Sequence, residues 1–482
     1  MPLTLQNKAF LVASVFLCLW PIFFINNPFF WDTVLFARQA DWYLHSGLTS
    51  WILPTDLDAG HPPLWPLYLA AGWAFAGQSL WVSHLLMLPI LIWLAWELTR
   101  FIWHFVEEPF RVPVLMAALA VPGLSAQATL FSNDILMVAA FLGVVNSVRA
   151  QSSSRLFFTL VLLSFSSLRG ILVIPGLLLF FWLAYPEKRK TWAFWLKGLS
   201  GLLPVVGWLL WHKLQTGWLT HPLSANWSHQ HEFTDFDGWI HNMASIGFRF
   251  VDQGRIFLWL LIFLVWFTGK WMYHAGNQRL LLLTGLSTAI LSAFFIPFHN
   301  PPGHRYFLAE FILMSIWAMQ VILQAWPNKR WISGLTIGAL LTGHLWIYPV
   351  GIAKGWDSTL TYLSWADHRD AAVQYMKEQR IPPAYCGTAF PLLHSGKYTH
   401  LNEEVWQFSE IDLSRNLYVL YSPLCNGISA ETLKVLRREW DLEKTWGTWP
   451  VYFELYRNPE QFPMEEVQEK EMAFLFMPDP RP

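Results

Sequence analysis

Residues 31–65 read WDTVLFARQADWYLHSGLTSWILPTDLDAGHPPLW. The segment follows an apolar run at 8–30 and precedes another at 81–103, each long enough to cross roughly 30 Å of hydrocarbon. It therefore sets Asp32, Asp41, Asp56 and Asp58, with His45 and His61, at a membrane surface. Turn chemistry ahead of the Pro62-Pro63 pair is a sufficient reason for Asp56 or Asp58 in a solvated loop. The functional reading makes some of these acids a base or metal ligand for a substrate held at the interface.

The rest of the chain agrees with a membrane setting. Its 482 residues are 54% hydrophobic, 17% aromatic and 13% charged, against roughly 25% charged in soluble proteins. Thirty-one are Trp, a side chain that favours membrane interfaces. A net charge of -1 argues against a nucleic-acid binder, and Cys18, Cys386 and Cys425 are too few for a disulfide scaffold or a multi-Cys zinc site.

Further apolar runs lie at 112–131, 134–149, 155–168, 170–185, 194–212, 256–271, 280–298, 305–326 and 331–350. The first run, with Lys8 ahead of it and no small-residue cleavage site, reads as a retained helix. Arg149 with Arg155, Lys188 to Lys190 with Lys197, Lys270 with Arg279, and Lys329 with Arg330 mark four cytoplasmic loops. With 62–76 taken as shallow or re-entrant, the count is about 11 transmembrane helices. External loops then fall at 31–61, 213–255 and 299–304. Residues 1–353 form the membrane module and 354–482 a domain outside the cytoplasm. The tail is polar, with helical patterns at 367–380 and 430–440 and strand-like runs at 417–421 and 451–456, the signature of a small α/β domain. An oxidising compartment would permit Cys386 and Cys425 to pair, and 465–482 reads as loosely held.

Phe30-Trp31-Asp32 just past the first helix, the Ala40 to Tyr43 helix behind it, and Asp58-Ala59-Gly60-His61-Pro62-Pro63-Leu64 resemble the first external loop of the GT-C glycosyltransferases. That group includes the protein O-mannosyltransferases and bacterial aminoarabinose transferases. Thr33 stands where the mannosyltransferases often carry a second acid. The resemblance implies a polytopic α-helical membrane protein of GT-C type with a small extracytoplasmic α/β domain, in the bacterial inner membrane. It implies transfer of a hexose or pentose from a polyprenyl-phosphate donor to a lipid, glycan or protein acceptor, with inversion, and with Asp32 first and Asp58 second as base. Asp56-Leu57-Asp58 also matches a metal-binding Asp-x-Asp, so a divalent metal is a possible cofactor, with no metal-specific spacing to fix it.

A departing lipid phosphate needs cations at the outer surface. Arg169, alone between the runs ending at Leu168 and starting at Ile171, is one. His304-Arg305-Tyr306 resembles the family's Arg-Tyr at a similar place, and His61 adds a fifth polar partner. An interfacial anchor or a snorkelling arginine is the plain alternative for these residues. The loop at 213–255 carries His221, His229, His231, Glu232, Asp235, Asp237, His241 and Asp252, which read as a polar loop or a metal or acceptor site, and Asn226-Trp227-Ser228 is a sequon. Asp134 and Glu310 are acids inside apolar runs. A lipid-linked-sugar transporter or flippase would instead line a path through the bundle with its charges, and a scaffold would leave the acidic loop without a role.

Overall fold

The computed structural model describes residues 3–187, 191–220, 232–271, 274–299, 302–348, 355–404 and 406–460. His221, the sequon, His229, His231, Lys188 to Lys190 and the chain from 461 on lie outside the described residues. The described chain is mostly helical, and every apolar run read from the sequence falls on helix. Five helices, Leu5–Phe23, Leu80–Phe105, Trp192–Thr216, Ala275–Phe295 and His304–Ala325, are long and apolar enough to cross a membrane. Two bent pairs, Glu108–Leu119 with Pro122–Thr129 and Phe236–Val251 with Ile256–Phe267, bring the number to seven, and Leu64–Ala76, Ser153–Ser166, Leu168–Ala184 and Trp331–Leu345 are shorter apolar helices. Length and composition thus give five to seven spans among the described residues, and the eleven counted from the sequence would need the four shorter apolar helices as well.

Local chemistry sets the breaks. Pro122 opens its helix where its missing N–H costs nothing. At the sharper 79° bend, Gly254 takes a left-handed φ of +81° and would place any Cβ 2.3 Å from the Ala339 carbonyl oxygen, so only glycine fits. His304–Ala325 is buried along nearly its whole length, Glu310 and Gln320 included, the pattern of a helix at the centre of a bundle. The loop expected at 213–255 is not continuous loop: Asp235 caps a helix at Phe236–Val251 by accepting from Gly238 N at 2.8 Å.

The chain divides into two compact units. One comprises Met1–Ile25, Gln39–Gly77 and Val82–Trp346; the other takes in Asn26–Arg38, Gln78–Trp81 and everything from Ile347. The second unit carries a five-stranded sheet of β1 (Cys386–Thr388), β2 (Ser409–Glu410), β3 (Tyr418–Tyr421), β4 (Asp441–Thr448) and β5 (Val451–Arg457), in the order β2-β1-β3-β5-β4. β1 runs parallel to β2 and β3; β5 runs antiparallel to β3 and β4. Val419, Tyr421 and Tyr456 meet Leu433 and Leu436 of the helix Ala430–Glu439 in the core of this domain. Burying such side chains stabilises by roughly 1.5–3 kcal/mol each.

The expected pairing of Cys386 with Cys425 is corrected here. The two form no disulfide. Cys386 is sealed inside β1, where burial pushes its thiol well above the ordinary range, and the Cys425 sulfur lies 3.9 Å from the Thr388 hydroxyl instead.

Candidate functional site

In the first unit, three of the expected phosphate-binding residues gather round an acid. The helix Ser153–Ser166 ends at Ser167, whose extended backbone lets its hydroxyl accept from Gly170 N at 3.2 Å and start the next turn. Gly170 sits against the Leu163 carbonyl oxygen so closely that a Cβ would fall at 2.0 Å. Arg169 is held in that turn, 8% exposed, and its Nη2 lies 2.5 Å from Asp134 Oδ1. Asp134 stands in the first turn of Asn133–Arg149, capped by Ser132, where the helix dipole favours a carboxylate. Asn133 Nδ2 donates to the Ser166 carbonyl at 2.9 Å, which ties the two helix ends together.

Arg305 reaches the other carboxylate oxygen of Asp134 at 3.8 Å. The Arg169 guanidinium lies 4.4 Å over the Tyr306 ring, which stacks on Phe295. One nitrogen of Arg169, Nη1, and one oxygen of Asp134, Oδ2, are buried without a hydrogen bond. Glu310, a turn further along and wholly buried, lies within the field of Arg169.

His304 goes elsewhere. Its Nε2 meets Asp252 Oδ2 at 2.5 Å, both side chains being 1% exposed or less, and so clamps the segment before Arg305 onto the bend at 252–255. Arg249 Nε donates to the Pro302 carbonyl and Arg255 to the Arg249 carbonyl, completing that clamp. His61 Nδ1 accepts from Leu168 N at 3.4 Å, one residue from Arg169.

Asp58 is a bound acid rather than an open one. Its Oδ1 accepts from Gly60 N at 2.8 Å in an Asx turn, and its Oδ2 pairs with His212 Nε2 at 2.8 Å. With both oxygens engaged and 3% exposure, it anchors the loop. Among the described residues, no three His, Cys, Asp or Glu side chains come together as a metal site.

Asp32 belongs to the second unit, where it opens the helix Asp32–His45. Trp31 before it takes a left-handed φ of 60°, an uncommon conformation for a bulky residue, and its ring packs on Phe390 at 5.1 Å. Phe29 N donates to the Thr399 carbonyl at 2.8 Å, and Phe30 stacks on Tyr362. The tail of the chain thus builds the surroundings of Asp32. His394 is the residue sequence reasoning missed: it lies against Phe390, within the fields of Asp32 and Arg38, and its Nε2 is buried with no hydrogen bond. Nothing local in Phe390 to His400 signals that role, since 362 residues separate His394 from Asp32.

Burial first, then the Arg38 charge, push the His394 imidazole down from its usual 6.5 to about 4, against the pull of Asp32. The unfolded chain therefore holds this proton more tightly between those values. Stability from keeping the ring neutral should be complete above about pH 6.5 and decline as pH falls toward 4. The unfolding midpoint is expected to drop more steeply between pH 7 and 5 in the wild type than in His394→Gln; parallel profiles would contradict this.

No family profile matches the sequence, and no curated protein does. Two solved structures do match in fold. ArnT from Cupriavidus metallidurans bound to undecaprenyl phosphate has a TM-score of 0.54 at 12% identity, over 94% of this chain and 98% of that one. The apo state of the same protein gives 0.53 at 11% identity, over 93% and 97%. At such identity the likeness is one of fold, and that fold is the GT-C fold.

Proposed function

We propose that this GT-C-fold chain is a membrane glycosyltransferase that moves a sugar from a polyprenyl phosphate to an acceptor. The observation that carries the reading is the Arg169, Arg305, Asp134 group. Two guanidinium groups face one carboxylate at the end of an apolar bundle, and a buried Arg169 nitrogen without a hydrogen bond is there for an anion. A lipid phosphate is the anion that reaches such a place with its tail in hydrocarbon, and the ArnT structure of the same fold holds undecaprenyl phosphate.

In the reaction, an acceptor oxygen attacks the anomeric carbon as the bond to the phosphate oxygen breaks, inverting the centre. The resemblance of the first loop gives Asp32 the acceptor proton, and the electron pair leaves with the phosphate, held by Arg169 and Arg305 beside Tyr306. His304 and His61 act through these two, by fixing the chain ahead of Arg305 and behind Arg169. Base assistance is worth about 10² to 10⁴ in rate. In this reading the active site and the domain from 354 lie on the extracytoplasmic side of a bacterial inner membrane, which the Lys and Arg pattern of the loops supports.

Binding of undecaprenyl phosphate to the purified protein tests the cradle. Charge-assisted hydrogen bonds contribute about 1.5–3 kcal/mol, so Arg305→Ala is expected to weaken the affinity by roughly tenfold to a hundredfold. Arg305→Lys keeps the charge, loses the fork, and should fall between. Equal affinity in wild type and Arg305→Ala would remove Arg305 from the site.

A further inference from the structure

At the opposite end of the same helices lies a second cationic group that the proposed reaction does not use. The 17-residue helix Asn133–Arg149 carries Asp134 in its first turn and Arg149 at its last residue, about 22 Å apart at 1.5 Å per residue. Ser153–Ser166 returns from Arg155 toward Arg169. Arg149 and Arg155 therefore stand about one hydrocarbon thickness from the Asp134 group. Arg100, from Leu80–Phe105, and Arg111, which opens Arg111–Leu119, join them around His104.

The carboxylates nearby are largely committed. Glu97 is buried and holds Arg155, Asn146 Nδ2 at 2.8 Å and Trp93 Nε1 at 2.9 Å. Glu107 accepts from Gln324 at 2.8 Å and faces His274 at 3.5 Å; Glu108 is exposed in the turn before Arg111. Arg100 lies 5.6 Å over Trp96, and Arg111 5.6 Å over Trp103, with its Nε on the Val106 carbonyl. Arg149 lies 5.8 Å over Phe105. Among the described residues, Arg100 and Arg111 are paired with no carboxylate.

A guanidinium over an aromatic face keeps N–H groups at its edge for a planar, bidentate partner, and phosphate oxygens match that fork. The same helix continues into hydrocarbon with Trp96 and Ile92 exposed at successive turns behind Arg100, and Val112 and Met116 are exposed behind Arg111. Cations at the rim with an apolar track leading inward fit one ligand shape. We infer that Arg100, Arg111 and Arg149 bind the phosphodiester headgroup of an anionic phospholipid, whose chains lie along Trp96 and Met116. The leaflet is the one at the Arg149 end, and the site is separate from the donor site at Asp134.

The test compares purified full-length protein in micelles with added dioleoyl phosphatidylglycerol, dioleoyl phosphatidylcholine or inorganic phosphate, reading the unfolding temperature and the lipid retained in native mass spectrometry. Phosphatidylglycerol is expected to raise the unfolding temperature by about 2 °C or more and to be retained; the other two are not. Arg100→Gln/Arg111→Gln/Arg149→Gln should lose that response and keep the wild-type midpoint in phosphatidylcholine. Should the triple variant fail to fold, Arg111→Gln and Arg149→Gln singly should each lower the retained lipid severalfold. An undiminished phosphatidylglycerol response in the variants overturns the site. An equal response to phosphatidylcholine overturns the charge requirement, and an equal response to inorganic phosphate overturns the lipid as its source.

Discussion

Asp32→Asn is expected to lower turnover by at least about a hundredfold while folding and lipid binding stay intact. An acceptor hydroxyl is a poor nucleophile at neutral pH, so a carboxylate must take its proton as the new bond forms. In the proposed reaction Asp32 is that carboxylate. It opens a 14-residue helix, and the residues ahead of it are fixed by the Trp31 ring on Phe390 and by the Phe29 bond to Thr399. A purely structural Asp32 would cap or hydrate the helix, and Asn caps as well as Asp does. The isosteric change therefore spares the structural role and removes the base. Initial rates with a labelled donor decide it, since near-normal turnover in Asp32→Asn would end the assignment. Asp58, with both oxygens occupied by Gly60 and His212, is the weaker successor.

Asp134→Ala should cost about 3–5 kcal/mol of stability, because it leaves Arg169 charged and buried without its carboxylate. Arg169→Ala should cost less, since Arg305 still faces Asp134 at 3.8 Å. The double variant should lose less than the sum of the two, which is the mark of a direct pair. Midpoints of denaturant unfolding in mixed micelles give all three numbers. A loss below about 1 kcal/mol for Asp134→Ala would mean that water reaches the pair and that the site is not the dry enclosure the fold describes.

What the sequence disclosed, and what it withheld, follows from the range of each signal. Apolar runs are local, and each came out helical. A lone Arg169 between two of them read as functional or as snorkelling, and both acids flagged inside the runs, Asp134 and Glu310, lie near it. The tail helices at Trp365–Glu378 and Ala430–Glu439, and strands β3 and β5, kept their periodicity and came within two residues of expectation. The partners themselves were out of reach: Asp134 and Arg169 are 35 residues apart, Asp58 and His212 154. No local pattern records such pairings.

Short or exposed elements also escaped. β1 has three residues and β2 two, too few for a period of two to register. β4, DLEKTWGT, is an edge strand exposed along most of its length and so lacks the apolar alternation of a half-buried strand. The helix Phe236–Val251 was hidden by its acids and histidines, which read as a polar loop although Asp235 is its cap and Asp252 the partner of His304. The two thiols were open to pairing by composition, and the packing of Cys386 inside β1 decided otherwise.

The most direct measurement is turnover of undecaprenyl-phosphate-linked sugars, hexose and aminopentose, by the purified protein in detergent, where no second compartment exists. Wild-type protein should release undecaprenyl phosphate and glycosylate an acceptor, and Asp32→Asn should not. An intact donor in detergent, together with movement of the same lipid between the leaflets of reconstituted vesicles, would contradict the transferase and leave a transporter in its place.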